Sequence, residues 1–337
     1  TLMLAPTGHT DTPYGSLTIA TGPNKLAHFH IKGTGTGRIF VYEEISTPAA
    51  GKYVALVSRH LCVVDTVNAP STVYYSKTND DKDFTGTGSG AIALDDNIVG
   101  IKSFRDSLYI FCRNTIHRLD NIDNAATVQI TQITSNVGCL SGESIQEIGG
   151  DLVFLAPDVE LSSVSRQIQS IISDIAGSIT EYTISSTVLR KKSQYRLFYC
   201  DATESSVTSR GIIGTLTANG FEWSESLGIQ ARGLHSAYDA EGIEHTYHGD
   251  RNGYIYVHDD GLSFNNANIN AVYQTPNYDF GDIGTRKTLK YARNDPMIRQ
   301  VVEGSGNTCS FKISSDDQSS PYSINGFYID YVPAGRR

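Results

Sequence analysis

Two stretches hold the side chains that bind transition metals. One is His28-Phe29-His30. The other is Glu244-His245-Thr246-Tyr247-His248-Gly249-Asp250, with His258-Asp259-Asp260 further on. Imidazoles and carboxylates make a metal site only when their spacing brings them to one face. His245 and His248 are three apart, which converges on a helix, but the residues around them read as strand and turn, where they fall on opposite faces. His28 and His30 share a strand face, with no third ligand nearby in the sequence. Two Gly-rich stretches, Gly33-Thr34-Gly35-Thr36-Gly37 and Gly86-Thr87-Gly88-Ser89-Gly90, raise phosphate binding. A phosphate cradle needs a strand before it, a helix after it, and dinucleotide spacing or a Gly-Lys-Ser/Thr ending. Neither stretch has the helix or the lysine, so both read as loops. Asp250-Arg251-Asn252-Gly253 begins like a calcium loop but lacks the later bidentate Glu, and reads as a hairpin turn.

Nucleophilic and hydrolytic chemistry finds no foothold. No Gly-x-Ser-x-Gly elbow and no His-Glu-x-x-His occur. Ser314-Ser315-Asp316-Asp317 is faintly similar to the Asp-box of sialidase propellers, but it occurs once and without the Gly and Trp that should follow. Paired acids for glycoside hydrolysis cannot be singled out among 36 carboxylates without geometry. The five cysteines, Cys62, Cys112, Cys139, Cys200 and Cys309, are scattered, odd in number and without a C-x-x-C pair. That pattern argues against a disulfide framework or zinc knuckle and for folding in a reducing cytoplasm. The expectation is a chain that is not an enzyme, with no catalytic, cofactor-binding or metal-ligating residue and no cofactor.

The elements that would carry any site are strands. A short apolar strand, a Gly/Asp/Asn turn and a second strand rich in aromatic or β-branched residues recur. The phrase runs over residues 100–111 (turn at Asp106-Ser107) and 145–155 (turn at Gly149-Gly150), and more loosely over 53–64 and 249–257 (turn at Asn252-Gly253). A hairpin unit returning at roughly 40 to 50 residues is the signature of propeller blades, since one small sheet cannot bury both faces unless neighbours stack on it. The 31 Gly and 19 Tyr suit many short strands joined by tight turns. Residues 1–50 alternate with period two over 16–20, 28–31 and 38–42. After Pro276, alternation continues over 286–291, 309–313 and 327–331, with Asp316 to Ser320 an expected loop. One helix is predicted near 165–176: Ser165 caps it, Ile168, Ile171, Ile172 and Ile175 form its core-packing stripe, and Gly177 stops it. The predicted fold is all-β: a β-propeller with an accessory antiparallel β-domain and one short amphipathic helix. Residues 1–50 form an N-terminal β segment, 51–275 the blades, and 276–337 a C-terminal strand unit that completes the accessory domain or the last blade.

At 337 residues the chain can bury a substantial core without metal or disulfide staples. No apolar run approaches the roughly 18 residues of a membrane span. A net charge of −9 disfavours ordinary duplex binding, which relies on Lys and Arg to displace counterions. The start, Thr1-Leu2-Met3-Leu4, has no initiator Met and no secretory pattern, and a processed or partial chain is expected.

Several stretches, in order, resemble the tail nozzle or head-to-tail hub (DNA-stabilisation) proteins of tailed bacteriophages. They are residues 64–76 (Val-Asp-Thr-Val-Asn-Ala-Pro-Ser-Thr-Val-Tyr-Tyr-Ser) followed by Asp83-Phe84 and the Gly-rich loop, then 98–111 closing with 115–119 (Thr-Ile-His-Arg-Leu). Residues 149–158 (Gly-Gly-Asp-Leu-Val-Phe-Leu-Ala-Pro-Asp), 164–168 (Val-Ser-Arg-Gln-Ile) and the ending 325–337 (Asn-Gly-Phe-Tyr-Ile-Asp-Tyr-Val-Pro-Ala-Gly-Arg-Arg) complete the set, which spans about residues 53 to 337. In similar proteins a Gly- and Arg-bearing stretch separates Pro157-Asp158 from Val159-Glu160-Leu161. Here they abut, and the region after Asn294 is short, so missing segments are expected. The resemblance implies a structural virion protein in the tail, made in the host cytoplasm and assembled as a homo-oligomer, a ring of six. Its partners would be the portal and adaptor and the tail fibre or tailspike proteins. Genomic DNA would pass through the lumen without specific binding. Six copies at −9 each carry −54, compatible with a lumen that repels DNA. In the C-terminal segment, alternation sets Phe327, Ile329 and Tyr331 on one face and Tyr328 and Asp330 on the other, one of them available to a neighbour. The alternatives are a propeller hydrolase acting on carbohydrate, for which Trp223 supplies the only indole, and a non-catalytic glycan- or protein-binding propeller.

Overall fold

The computed structural model describes residues 2–3, 16–19, 26–32, 39–45, 48, 50–124, 126–156, 182–201, 210–294, 298–317 and 327–336. The predicted helix at 165–176 and the Gly-rich stretch 33–37 lie outside them. Every regular element among the described residues is a strand or a three-residue 3-10 turn, and every strand pairing is antiparallel, as an all-β chain requires. The chain divides into two compact units, Thr1–His258 and Asp259–Arg337.

The first unit is a series of sheets, each made of strands consecutive in the chain. Strands β1 (Leu2–Met3), β2 (Ser16–Ile19), β3 (Leu26–Lys32) and β4 (Ile39–Ile45) form the first, in that order. The second joins β5 (Tyr53–Val57), β6 (His60–Val64), β7 (Thr72–Tyr75) and β8 (Gly90–Ala93). The third joins β9 (Ile98–Phe104), β10 (Ser107–Cys112), β11 (Ile116–Asp120) and β12 (Gln129–Thr134). A hairpin of β13 (Gln146–Ile148) and β14 (Asp151–Val153) precedes the sheet β15 (Tyr182–Leu189), β16 (Gln194–Asp201), β17 (Arg210–Thr217) and β18 (Gly220–Leu227). A three-stranded sheet of β19 (Gly233–Tyr238), β20 (Glu244–Gly249) and β21 (Ile255–Val257) closes the unit.

The core runs through this series. All five residues of β6 are buried. Leu61 and Val63 pack with Leu26, Ile45, Val54 and Phe84. Cys62 and Val64, on the other face, pack with Val57, Ile101, Leu108 and Ile110. The second sheet is therefore covered on both faces, by the sheet before it and the sheet after it. The third sheet repeats the arrangement: Phe111 and Ile116 pack with Cys139 and Ile145 on its far face. Farther on, Ile148 and Leu155 pack with Val188, Tyr195, Leu197 and Ile212. Gly214 opposes Trp223 across β17 and β18, and a Cβ there would meet the indole ring at 2.6 Å. Glycine thus lets the ring lie across the strand. Trp223 stacks on Phe221 at 5.3 Å and packs against that core.

At Gly149-Gly150 and between β9 and β10 the repeated phrase is a two-residue hairpin with both turn residues at positive φ, the twist that matches paired strands, whereas between β20 and β21 the loop spans residues 250–254 and only Gly253 is at positive φ. Gly149-Gly150 takes it at 62° and 80°, where glycine bears no steric cost. Between β9 and β10 the turn residues are Arg105 and Asp106, at 49° and 61°, one position earlier than the sequence predicts. Arg105 is retained by other contacts: it donates to the Gly150 carbonyl at 2.5 Å and lies over the Phe104 ring. Asp106 bears the left-handed strain. Asp106→Gly is expected to stabilise the protein by about 0.5–1 kcal/mol, read as a higher urea midpoint at unchanged slope.

In the second unit, β22 (Ile269–Gln274) pairs with β25 (Lys312–Asp317) as a two-stranded ribbon. Asp316 and Asp317 therefore belong to a strand and not to the expected loop, since their backbone pairs with Asn270 and Ile269. Residues 318–320 of that loop lie outside the described residues. A second sheet sets β23 (Thr285–Asn294) between β24 (Ile298–Gly306) and β26 (Phe327–Arg336). The Tyr331 ring packs on Phe280 with centroids 4.6 Å apart.

Candidate functional site

The polar residues singled out in the sequence fall into separate places. His28 on β3 is fully buried and its Nδ1 lies 3.0 Å from the equally buried Asp81 carboxylate, which comes from the β7–β8 loop. His30 lies beside it, rings 5.4 Å apart. On the same loop Lys82 donates to Glu43 at 2.7 Å and holds that carboxyl below its usual range, while Phe84 enters the core below. Asp81 was invisible as a partner because some fifty residues separate it from His28 in the chain. Among the described residues, no group of three or more His, Cys, Asp or Glu is arranged to hold a metal.

The Gly86–Gly90 stretch completes this loop. Asp83 accepts from the Thr85 and Gly86 backbone N–H groups at 2.9 and 2.8 Å, and the chain passes directly into strand β8. The backbone contacts tie the Asp83 carboxylate into its own turn. Asp250 does likewise, accepting from Asn252 and Tyr254 at 2.8 and 2.9 Å, so the calcium-like stretch is a hairpin turn.

His245 and His248 take opposite faces of β20, as their spacing on a strand requires. His245 pairs with Asp239 at 3.0 Å. His248 instead joins His258 and Arg196 where the last two sheets of the unit meet. Arg196, only 5% exposed, points its Nη1 at His258 Nδ1 at 3.2 Å; His258 Nε2 lies 2.8 Å from His248 Nδ1. Guanidinium can only donate, so His258 Nδ1 accepts, its Nε2 carries the proton and donates to His248 Nδ1, and the His248 proton sits on Nε2. One direction of donation fixes both tautomers. Gln194 Oε1 accepts from Arg196 Nη2 at 2.8 Å, Phe198 packs against His258, and Tyr256 stacks on His248. Burial lowers the His248 pKa, opposed by the nearby Asp250 charge. Chemically this is a relay of two neutral imidazoles held by a cation. Nearby, Glu244 accepts from the Arg190 and Lys191 backbone at 3.0 and 2.8 Å, stitching the same two sheets. Sequence reading saw the histidines but missed Arg196, whose only signal was a cation between the apolar and aromatic residues Tyr195 and Leu197-Phe198-Tyr199 of strand β16.

Cys62, Cys112, Cys139 and Cys200 are buried and Cys309 is half-buried, and none of the five is in a disulfide. Burial pushes Cys62 and Cys139 up to about 12 and Cys112 to about 11, so these thiols do not ionise near neutrality. Trp223, the one indole, is packed in the core with its Nε1 buried and without a hydrogen-bond partner. The Ser314-to-Asp317 stretch is strand β25.

No family model matches the chain, and no curated protein matches it. Among solved structures it is similar to a "putative 6-phosphogluconolactonase" from Bacteroides uniformis at 10% identity and a TM-score of 0.40, covering 88% of this chain and 84% of that one. It is also similar to the extracellular domain of a "putative hybrid two component system" from B. thetaiotaomicron at 11% identity and a TM-score of 0.33, covering 88% of this chain and 42% of that one.

Proposed function

We propose that the chain is a structural virion protein of a tailed bacteriophage, a ring-forming tail nozzle or head-to-tail hub that continues the portal channel, retains packaged DNA and conducts it during ejection. The observation that carries this reading is the series of antiparallel sheets in the first unit, each built from consecutive strands, with β5–β8 packed on the sheet before it and the sheet after it and β9–β12 packed on both faces. Propeller blades bury themselves in this way, and a propeller with an accessory strand unit is the architecture that the resemblance of residues 53 to 337 implies. Ring formation has support in the second unit. Val272 and Tyr273, adjacent and so on opposite faces of the β22–β25 ribbon, are 54% and 59% exposed. An isolated two-stranded ribbon is marginal in water, and a neighbouring copy in a closed ring supplies the missing contact. With a net charge of −9 per copy, such a ring guides DNA by repulsion and forms few phosphate contacts to resist sliding.

Native mass spectrometry and negative-stain imaging test this directly. The expected result is a closed ring of six copies, weakened by Tyr273→Glu, with no measurable affinity for free duplex DNA at physiological salt. A protein that stays monomeric at every concentration, alone and mixed with portal–adaptor complexes, would sink the proposal.

A further inference from the structure

The second unit contains a cavity of about 170 Å³ lined by Phe280, Leu289, Lys287, Ser305, Thr308 and Cys309 among others. Lys287, on the central strand β23, is only 4% exposed. Its Nζ donates to the backbone carbonyls of Asp282 and, at 3.4 Å, Asn307. Both acceptors are neutral, and among the described residues no carboxylate lies within ion-pair distance of it. The Asp282 carboxylate serves its own turn, accepting from Thr285 Oγ1 at 2.5 Å and Gly284 N at 2.8 Å. Burial raises the Cys309 pKa, so its thiol adds no negative charge near neutrality. A desolvated ammonium with a donor to spare and no counter-charge calls for an anion.

The rest of the lining narrows the class. Ser305 Oγ accepts from Arg286 Nε and Nη2 at 3.1 and 2.6 Å, which leaves its own proton to donate elsewhere. Gly304 and Gly306 place no side chain in the space, and a Cβ on Gly304 would meet nothing within 4 Å. Opposite these polar groups, Phe280 and Leu289 offer apolar surface. A single buried cation suits a monoanion, and the apolar wall suits a short hydrocarbon tail. We infer that this cavity binds a small aliphatic carboxylate, with its charge on Lys287 and its tail against Phe280 and Leu289. The inference is independent of the proposed role in the virion.

Calorimetric titration of the 337-residue chain with butyrate, and in parallel with its neutral analogue butyramide, provides the test. Butyrate is expected to bind at one site at least tenfold more tightly than butyramide. Lys287→Met, which keeps the apolar stem, is expected to weaken butyrate at least tenfold with an unchanged circular dichroism spectrum. Gly304→Leu adds bulk at the cavity lining away from Lys287 and is expected to weaken butyrate at least tenfold, so the location is tested even if the Lys287 variant fails to fold. The inference is overturned if wild type does not bind butyrate, or does not distinguish it from butyramide. Undiminished butyrate binding in either folded variant overturns it as well.

Discussion

Asp81→Ala is expected to lower the unfolding free energy by about 1–3 kcal/mol, the range for removing one partner of a buried hydrogen bond. Asp81 and His28 are both fully buried and 3.0 Å apart, so no water takes the place of the lost carboxylate at His28 Nδ1. The damage also spreads. Asp81 sits on the loop whose Phe84 packs with Leu26, Ile45 and Val63, and that contact joins the first sheet to the second. Lys82→Met on the same loop is the control. Its pair with Glu43 is partly exposed, at 29% and 42%, and exposed pairs contribute about 0–1 kcal/mol. Urea unfolding of both variants separates the two cases. An Asp81→Ala protein within about 1 kcal/mol of wild type would remove the latch from the account of this interface, because a loss that small is typical of exposed pairs.

Acid is expected to loosen the contact between sheets β15–β18 and β19–β21 well before it unfolds the rest. Protonating His258 puts a proton on Nδ1, facing the Arg196 donor; protonating His248 puts one on its Nδ1, facing the His258 donor. Either event converts a hydrogen bond into a donor–donor clash beside a fixed positive charge. Of the charged and polar groups around the pair, Asp250 favours the protonated form of His248 while burial disfavours it; Gln194 is neutral and Tyr256 stacks on the His248 ring. Because the folded pKa of His248 lies below the unfolded value of about 6.5, the unfolded chain binds more protons in the window beneath that value. This contribution to stability is therefore complete above about pH 6.5 and is lost as pH falls toward the folded pKa. Hydrogen exchange at pH 7 and pH 5 should show protection falling selectively in β19–β21. His248→Gln, which cannot titrate, should flatten the dependence. Equal protection of these strands at the two pH values, after correction for intrinsic exchange, would rule the switch out.

Local chemistry was legible in the residues. Period-two alternation put His245 and His248 on opposite faces, Gly149-Gly150 marked a hairpin, and the missing lysine and helix reduced Gly86–Gly90 to a loop. Each depends on a few neighbouring side chains and on backbone sterics that act over two to four residues. Even there, the β9–β10 turn settled one position early, because Arg105 gains a carbonyl and an aromatic face that only the neighbouring hairpin and strand pairing provide. What tertiary structure alone decided was partnership across the chain: Asp81 under His28, Arg196 behind His258 and His248, and Lys287 buried beside a cavity with no carboxylate within ion-pair distance among the described residues. Burial determines these cases, since a charge excluded from water takes whatever partner the packing of distant strands delivers, and sequence distance carries no record of which that is.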